Sequence, residues 1–204
     1  MFNSIIAIVM SYFIGSVSFS ILFARWLRKI DIRQHGSGNA GATNTLRVLG
    51  KGPAIAVFTL DIAKGVAAVL LGRLLGDESW VPVASGLAAI IGHNWPIFFR
   101  FKGGKGIATT IGAVAMLAFF PALLAGIAAI ITIAATRYVS LGSMIFAVLL
   151  PIVFYLFGLE QALVMGAVAI GILALLRHRK NIVKLINGTE NKLGGTKKGE
   201  HHGL

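Results

Sequence analysis

"IATTIGAVAMLAFFPALLAGIAAIITIAA", residues 107–135, is the stretch on which the fold turns. A helix needs roughly 20 apolar residues to cross about 30 Å of hydrocarbon, so this uncharged block is long for one span and short for two. It predicts either one tilted helix or two short helices turning at Phe119-Phe120-Pro121, because the residue before a proline is biased out of the helical region.

Charge separates the alternatives. Five further apolar blocks, at about Ser4–Trp26, Ala54–Leu75, Trp80–Phe99, Ser140–Phe157 and Glu160–Leu176, read as spans. If residues 107–135 form two helices, 17 of the 19 Lys and Arg fall on one side; if one, the strongly basic tail lies opposite the other basic loops. Cytoplasmic loops collect Lys and Arg, which selects seven transmembrane helices, N-terminus outside and C-terminus cytoplasmic. Each half of the block then has only about 14 residues, short enough to be tilted, distorted or partly re-entrant.

Composition supports an all-α, polytopic membrane protein over a soluble domain: of 204 residues, 56% are hydrophobic and 13% charged. The net charge of +12 is spread between apolar blocks rather than gathered on one aromatic-interleaved surface, which argues against nucleic acid. With no cysteine, disulfides, thiolate nucleophiles and Cys-based metal sites are excluded. The first block has neither a basic region before it nor a small-residue cleavage pattern after it, so it is expected to be retained and not to act as a signal peptide.

Three polar clusters interrupt the apolar chain, and the expected orientation puts all three on the cytoplasmic side. In "RQHGSGNAGATNTLRVLGKG", residues 33–52, Gly36, Gly38 and Gly41 match G-x-G-x-x-G. The pattern follows an apolar helix and a basic loop and not a strand, so a dinucleotide fold is not indicated. Its backbone N–H groups can still form an anion-binding concavity, to which Ser37, Asn39, Thr43 and Asn44 add neutral hydrogen bonds. If a helix starts near Ala42, Thr43 and Arg47 share a face beside its N-terminus.

The second cluster is "GHNWPIFFRFKGGKGIATT", residues 92–110. Gly106 stands where a Walker A loop needs Ser or Thr, and the four-residue spacer is missing, so an ATP site is not indicated. Glycine amides plus Lys105 at a helix start still suit a phosphate. Trp95, Phe98, Phe99 and Phe101 read as an aromatic belt at headgroup depth, and Arg100 and Lys102 as basic rim. In the third, "RHRKNIVKLINGTE", residues 177–190, His178 and Asn181 are three apart on one helix face; Arg179, Lys180 and Lys184 suit anionic headgroups. Asp61 and Lys64, i and i+3 inside the second span, read as a mutually neutralising pair that braces the bundle.

No histidine is followed five positions later by Asp, so the His-x4-Asp pair of common glycerolipid acyltransferases is missing. No carboxylate or histidine cluster offers a metal site, and no serine sits in a nucleophile elbow.

Taken together, "GSGNAGATNTLR", "GHNWPIFFRFKGGKGIATT" and "RHRKNI" followed by "NGTE" resemble the three cytoplasmic motifs of the bacterial acyl-phosphate-dependent glycerol-3-phosphate acyltransferases. The resemblance runs from the first span to about Glu190. It implies a seven-span protein of the bacterial inner membrane, working on the cytoplasmic side at the first step of phospholipid synthesis. A fatty acyl group passes from acyl phosphate to the 1-hydroxyl of sn-glycerol 3-phosphate, giving lysophosphatidate and phosphate. No cofactor or metal and no protein partner is implied; the substrates and membrane lipid are. Carried over by motif, the site residues are Ser37, Thr43, Asn44 and Arg47, then Gly103, Gly104, Lys105 and Gly106, then His178 and Asn181. Gly38 and Asn39 join them from the first loop. The expected allocation gives glycerol 3-phosphate to Arg47, Ser37 and Asn181, and acyl phosphate to the Gly103–Gly106 amides, Lys105 and Thr43, with the acyl chain between helices. The attacking hydroxyl loses its proton to a substrate phosphate oxygen or to His178. Residues 1–190 form one domain, and 191–204 a basic, disordered tail. The rival classes are a transporter of phosphorylated metabolites, for which inverted repeats are lacking, and a scaffold touching only headgroups.

Overall fold

The computed structural model describes residues 1–194, and among these the chain is helical throughout, with no strand. The helices are α1 (Phe2–Ser16), α2 (Phe19–Arg28), α3 (Ala42–Leu49), α4 (Lys51–Leu75), α5 (Val81–Asn94), α6 (Ile107–Leu117), α7 (Phe119–Thr136), α8 (Val139–Leu156) and α9 (Gln161–Ile186). Five stretches are long and apolar enough to cross a membrane: α1 with α2, α4, α7, α8 and α9. With 14 and 11 residues, α5 and α6 are shorter.

The block at residues 107–135 is two helices, and they divide at Ala118 (φ −154°, ψ 83°), not at the proline. Pro121 is the third residue of α7, where its missing N–H is among those with no intrahelical partner anyway. The halves are unequal, 11 and 18 residues, so α6 spans about 16 Å. The pair is a hairpin. Arg137, just after α7, exchanges backbone and guanidinium hydrogen bonds with Leu193. Ser140, at the start of α8, donates to Glu190, which also holds Asn181, the acceptor of Lys105 just before α6. The start of α6 and the end of α7 therefore lie at the same end of the bundle.

The first apolar block is also broken, which the hydropathy pattern does not announce. Val17 (φ −69°, ψ 110°) and Ser18 (φ −96°, ψ 94°) are extended, and the freed Val17 carbonyl accepts from Lys64 Nζ at 2.9 Å. In lipid a released carbonyl needs such a partner. Lys64 also pairs with Asp61 at 2.8 Å, so the expected intramembrane ion pair is present and its lysine has a second task.

Small residues let backbones touch. A Cβ on Gly65 would strike the Thr109 carbonyl and one on Gly112 the Ile62 carbonyl, so α4 and α6 cross in near contact. A core of Phe146, Leu150 and Phe154 from α8 joins Ile170 of α9, Val114 of α6 and the alanines of α7. Ile21, Ala24, Ile32, Ala40 and Phe99 form a second, smaller core beside the polar loops. Phe99 is thus buried there and is not part of the aromatic belt; Phe98 and Phe101 remain exposed.

Candidate active site

Both glycine clusters end as helix N-termini. Gly41 caps α3 and Gly106, at φ +81°, caps α6. The first loop turns at Gly36 and Gly38, with φ of +62° and +74°, a region that suits glycine. Asn44, fully buried, shapes it: its Oδ1 accepts the Ser37 N–H at 2.8 Å and its Nδ2 donates to the Ile32 and His35 carbonyls. Asn44 therefore works beneath the loop as a staple. Thr43 and Arg47, one helical turn apart on α3, line the cavity with Ser37, Gly38 and Asn39.

The second loop is held from two sides. The Gly104 N–H donates to the His93 carbonyl at 3.1 Å, while Arg177 of α9 donates to the Gly104 carbonyl at 2.7 and 3.0 Å and to that of Gly103 at 3.2 Å. A peptide C=O and the following N–H point in opposite directions across a planar bond. With the Gly104 carbonyl drawn to Arg177, the Lys105 N–H faces away from that guanidinium. Arg177 itself rests 5.2 Å over the Trp95 ring, within cation–π range. The two loops are tied together by Arg33, already paired with Asp31 at 2.6 Å, through hydrogen bonds to the Phe99 and Lys102 carbonyls.

The third cluster meets the second. Lys105 Nζ donates to Asn181 Oδ1 at 2.6 Å, and Asn181 Nδ2 donates to Glu190 at 2.8 Å. The fully buried His178 has Nδ1 2.8 Å from the Ala174 carbonyl; a carbonyl only accepts, so the proton is on Nδ1 and the lone pair on Nε2. One cavity of about 760 Å³ takes in Ser37, Arg47, Lys105, His178 and Asn181, and continues as an apolar groove between α4, α6 and α7 along Phe58, Ile111, Leu123 and Ile130. All twelve residues picked from the sequence, save Gly104, line it; Gly104 is buried behind the loop surface.

Glu190 and Arg177 were not singled out from sequence. Glu190 carries the negative charge felt by both Arg47 and Lys105, and it stood in plain view as a lone acid in a basic segment. Residues 191–194, expected as tail, include Leu193 bonded to Arg137; the rest of the expected disordered tail, residues 195–204, lies outside the described residues.

Burial brings Lys105 down to about 8, with Glu190 opposing and Arg47, Arg177 and Lys184 adding to the effect. The sign follows directly. Lys105 is an ammonium below that value and loses its charge above it, so affinity for a phosphate substrate should weaken as pH rises through about 8. The apparent KM of whichever phosphate Lys105 holds should be flat near pH 7 and rise toward tenfold per unit above the break. A Lys105→Arg variant that still binds should move the break out of range, and a wild-type KM flat to about pH 9.5 would refute the assignment.

A cluster of cations and glycine loops at one end of an apolar groove is the arrangement of an integral membrane enzyme. The pattern of the glycerol-3-phosphate acyltransferase family matches residues 5–188. The chain is 59% identical to the glycerol-3-phosphate acyltransferase of Shouchella clausii (strain KSM-K16), covering 95% of this chain and 98% of the relative. It is 54% identical to that of Halalkalibacterium halodurans, covering 93% and 95%. Among solved structures it is similar to PlsY (YgiH), an integral membrane glycerol 3-phosphate acyltransferase, in its glycerol 3-phosphate form: TM-score 0.89 at 37% identity, covering 94% of this chain and 96% of that one. The lysophosphatidic acid form of PlsY superposes with a TM-score of 0.86 at 36% identity, covering 94% and 95%. The chain belongs to the glycerol-3-phosphate acyltransferase family and is a membrane acyltransferase.

Proposed function

We propose that this acyltransferase moves a fatty acyl group from acyl phosphate to the 1-hydroxyl of glycerol 3-phosphate. The observation that carries the reading is the single cavity whose polar end holds Arg47, Lys105 and two glycine loops and whose other end is an apolar groove. An acyl phosphate has a phosphate and a tail to fill both parts. As a mixed anhydride it brings its own leaving group, so positioning and charge stabilisation suffice for much of the acceleration.

Arg47 and Ser37, with Asn181, hold glycerol 3-phosphate; Lys105, Thr43 and the amides of Gly103–Gly106 hold the donor's phosphate. The glycerol O1 attacks the acyl carbonyl carbon, the ester C–O bond forms, and the bond to the phosphate oxygen breaks. His178 Nε2 accepts the hydroxyl hydrogen, and the proton passes on to the departing phosphate. Asn44 and Gly38 shape the first loop and Asn39 lines it.

The protein crosses the membrane seven times, with its N-terminus outside and its C-terminus in the cytoplasm, and lies in the bacterial inner membrane with the active site on the cytoplasmic side. Supporting this are the α6–α7 hairpin and the gathering of the three basic clusters at one end of the bundle. Purified protein in detergent, given palmitoyl phosphate and glycerol 3-phosphate, should release lysophosphatidate and phosphate in equal amounts. It should be inert when palmitoyl-CoA replaces the donor. No product from folded protein with palmitoyl phosphate, or equal rates with both donors, would sink the donor assignment.

A further inference from the structure

Inside the bundle Lys64 Nζ donates to the Val17 carbonyl at 2.9 Å, lies 2.8 Å from His93 Nδ1 and is ion-paired with Asp61 Oδ1 at 2.8 Å. All three side chains are at most 5% exposed. Asp61 is 3.6 Å from the same imidazole nitrogen, too far to accept from it. An ammonium can only donate, so His93 Nδ1 accepts, and the ring proton of the neutral imidazole sits on Nε2.

That nitrogen is aimed at the phosphate loop. It lies against Gly104 so closely that a Cβ there would collide with it, and His93 lines the cavity together with Gly103, Lys105 and Gly106. Among the described residues the ring's hydrogen bond is the one between Nδ1 and Lys64. The backbone of His93 meanwhile holds the Gly104 N–H. The residue is thus held by its Nδ1 and by its backbone carbonyl, with a cation behind the ring that polarises the N–H in front.

We infer that His93 is a further substrate-binding residue: its Nε2–H donates to a phosphoryl oxygen in the Gly103–Gly106 loop, and Asp61 and Lys64 are positioning residues that hold its tautomer. The inference deepens the reading of this cavity as an acyl phosphate site and rests on it. A neutral N–H suits the task, because it stabilises charge that grows on the phosphate as the acyl–oxygen bond breaks without adding a fourth cation beside Arg47, Lys105 and Arg177.

Wild-type protein carrying 15N-histidine, purified in detergent, should show a neutral His93 protonated at Nε2, assigned by its loss in His93→Gln. Titration with inorganic phosphate or glycerol 3-phosphate should shift that Nε2 signal saturably. A proton on Nδ1, or no saturable shift with either anion, overturns the inference. In turnover with palmitoyl phosphate, His93→Leu should lose about 100-fold in kcat/KM and His93→Gln, which keeps an N–H, about tenfold or less. Wild-type rates in His93→Leu would also overturn it. If the Nε2 signal responds to phosphate but the wild-type protein does not turn over palmitoyl phosphate, the donor assignment fails and the His93 contact stands.

Discussion

Lys105→Ala should lower kcat/KM by about a thousandfold, roughly 4 kcal/mol of transition-state stabilisation, while leaving the protein folded. Lys105 has one side-chain hydrogen bond, to Asn181, and lies at the cavity wall rather than in either apolar core. Its removal takes away a partly desolvated positive charge from the place where phosphate charge accumulates. Purified variant and wild type should share a thermal transition to within a few degrees while turnover differs by about three orders of magnitude. Asn181→Ala, which leaves the ammonium but frees it from its anchor, should cost less, about tenfold. A Lys105→Ala enzyme retaining more than about a tenth of wild-type kcat/KM would remove this lysine from the site. The same variant decides which phosphate it grips: if the KM for glycerol 3-phosphate rises and that for acyl phosphate does not, the allocation of the two loops is reversed.

Gly104→Ala should cost about a hundredfold in turnover, although it adds one methyl group. A Cβ at this position would overlap His93 Nε2 on one side and the Ala40 carbonyl on the other. One neighbour belongs to α5 and the other to the first glycine loop, so the peptide must shift and cannot shift freely. Displacing a positioned group by about 1 Å is enough for a loss of that size. A contrasting substitution sharpens the result: nothing lies within 4 Å of a Cβ on Gly52, so Gly52→Ala should be close to wild type. Activity in Gly104→Ala within about threefold of wild type would mean that the loop backbone is not what holds the phosphate.

What could be seen in the sequence divides by range. The glycine loops, their role as helix starts and the shared helix face of His178 and Asn181 follow from local patterns, because a glycine-to-helix transition and an i, i+3 spacing are written within a few residues; the bond from Lys105 to Asn181 joins positions 76 residues apart. The break between α1 and α2 is not local. Its apolar block runs on uninterrupted, and the group that satisfies Val17 is 47 residues away. Arg177 looks like any basic residue leaving a membrane; its part in holding Gly103 and Gly104 depends on α9 packing beside a loop 73 residues earlier. The turn at Ala118 was displaced from the expected site because a proline marks where a helix cannot continue inward, and equally where one can begin. His93 was read as lead-in to a motif, since nothing near it in the chain says that a lysine stands behind its ring.

The contact between Lys64 and the carbonyl of Val17 also bears on how the chain is put together. Synthesis delivers α1 and α2 before α4, so the acceptor left open by the extended residues already exists when the lysine arrives, and Asp61 travels one turn ahead of it in the same helix. His93 follows on the next helix and finds the ammonium in place. Each charged side chain enters the bilayer after an acceptor or alongside its counter-charge, so the order of synthesis is itself a route of insertion in which no bare charge waits in lipid.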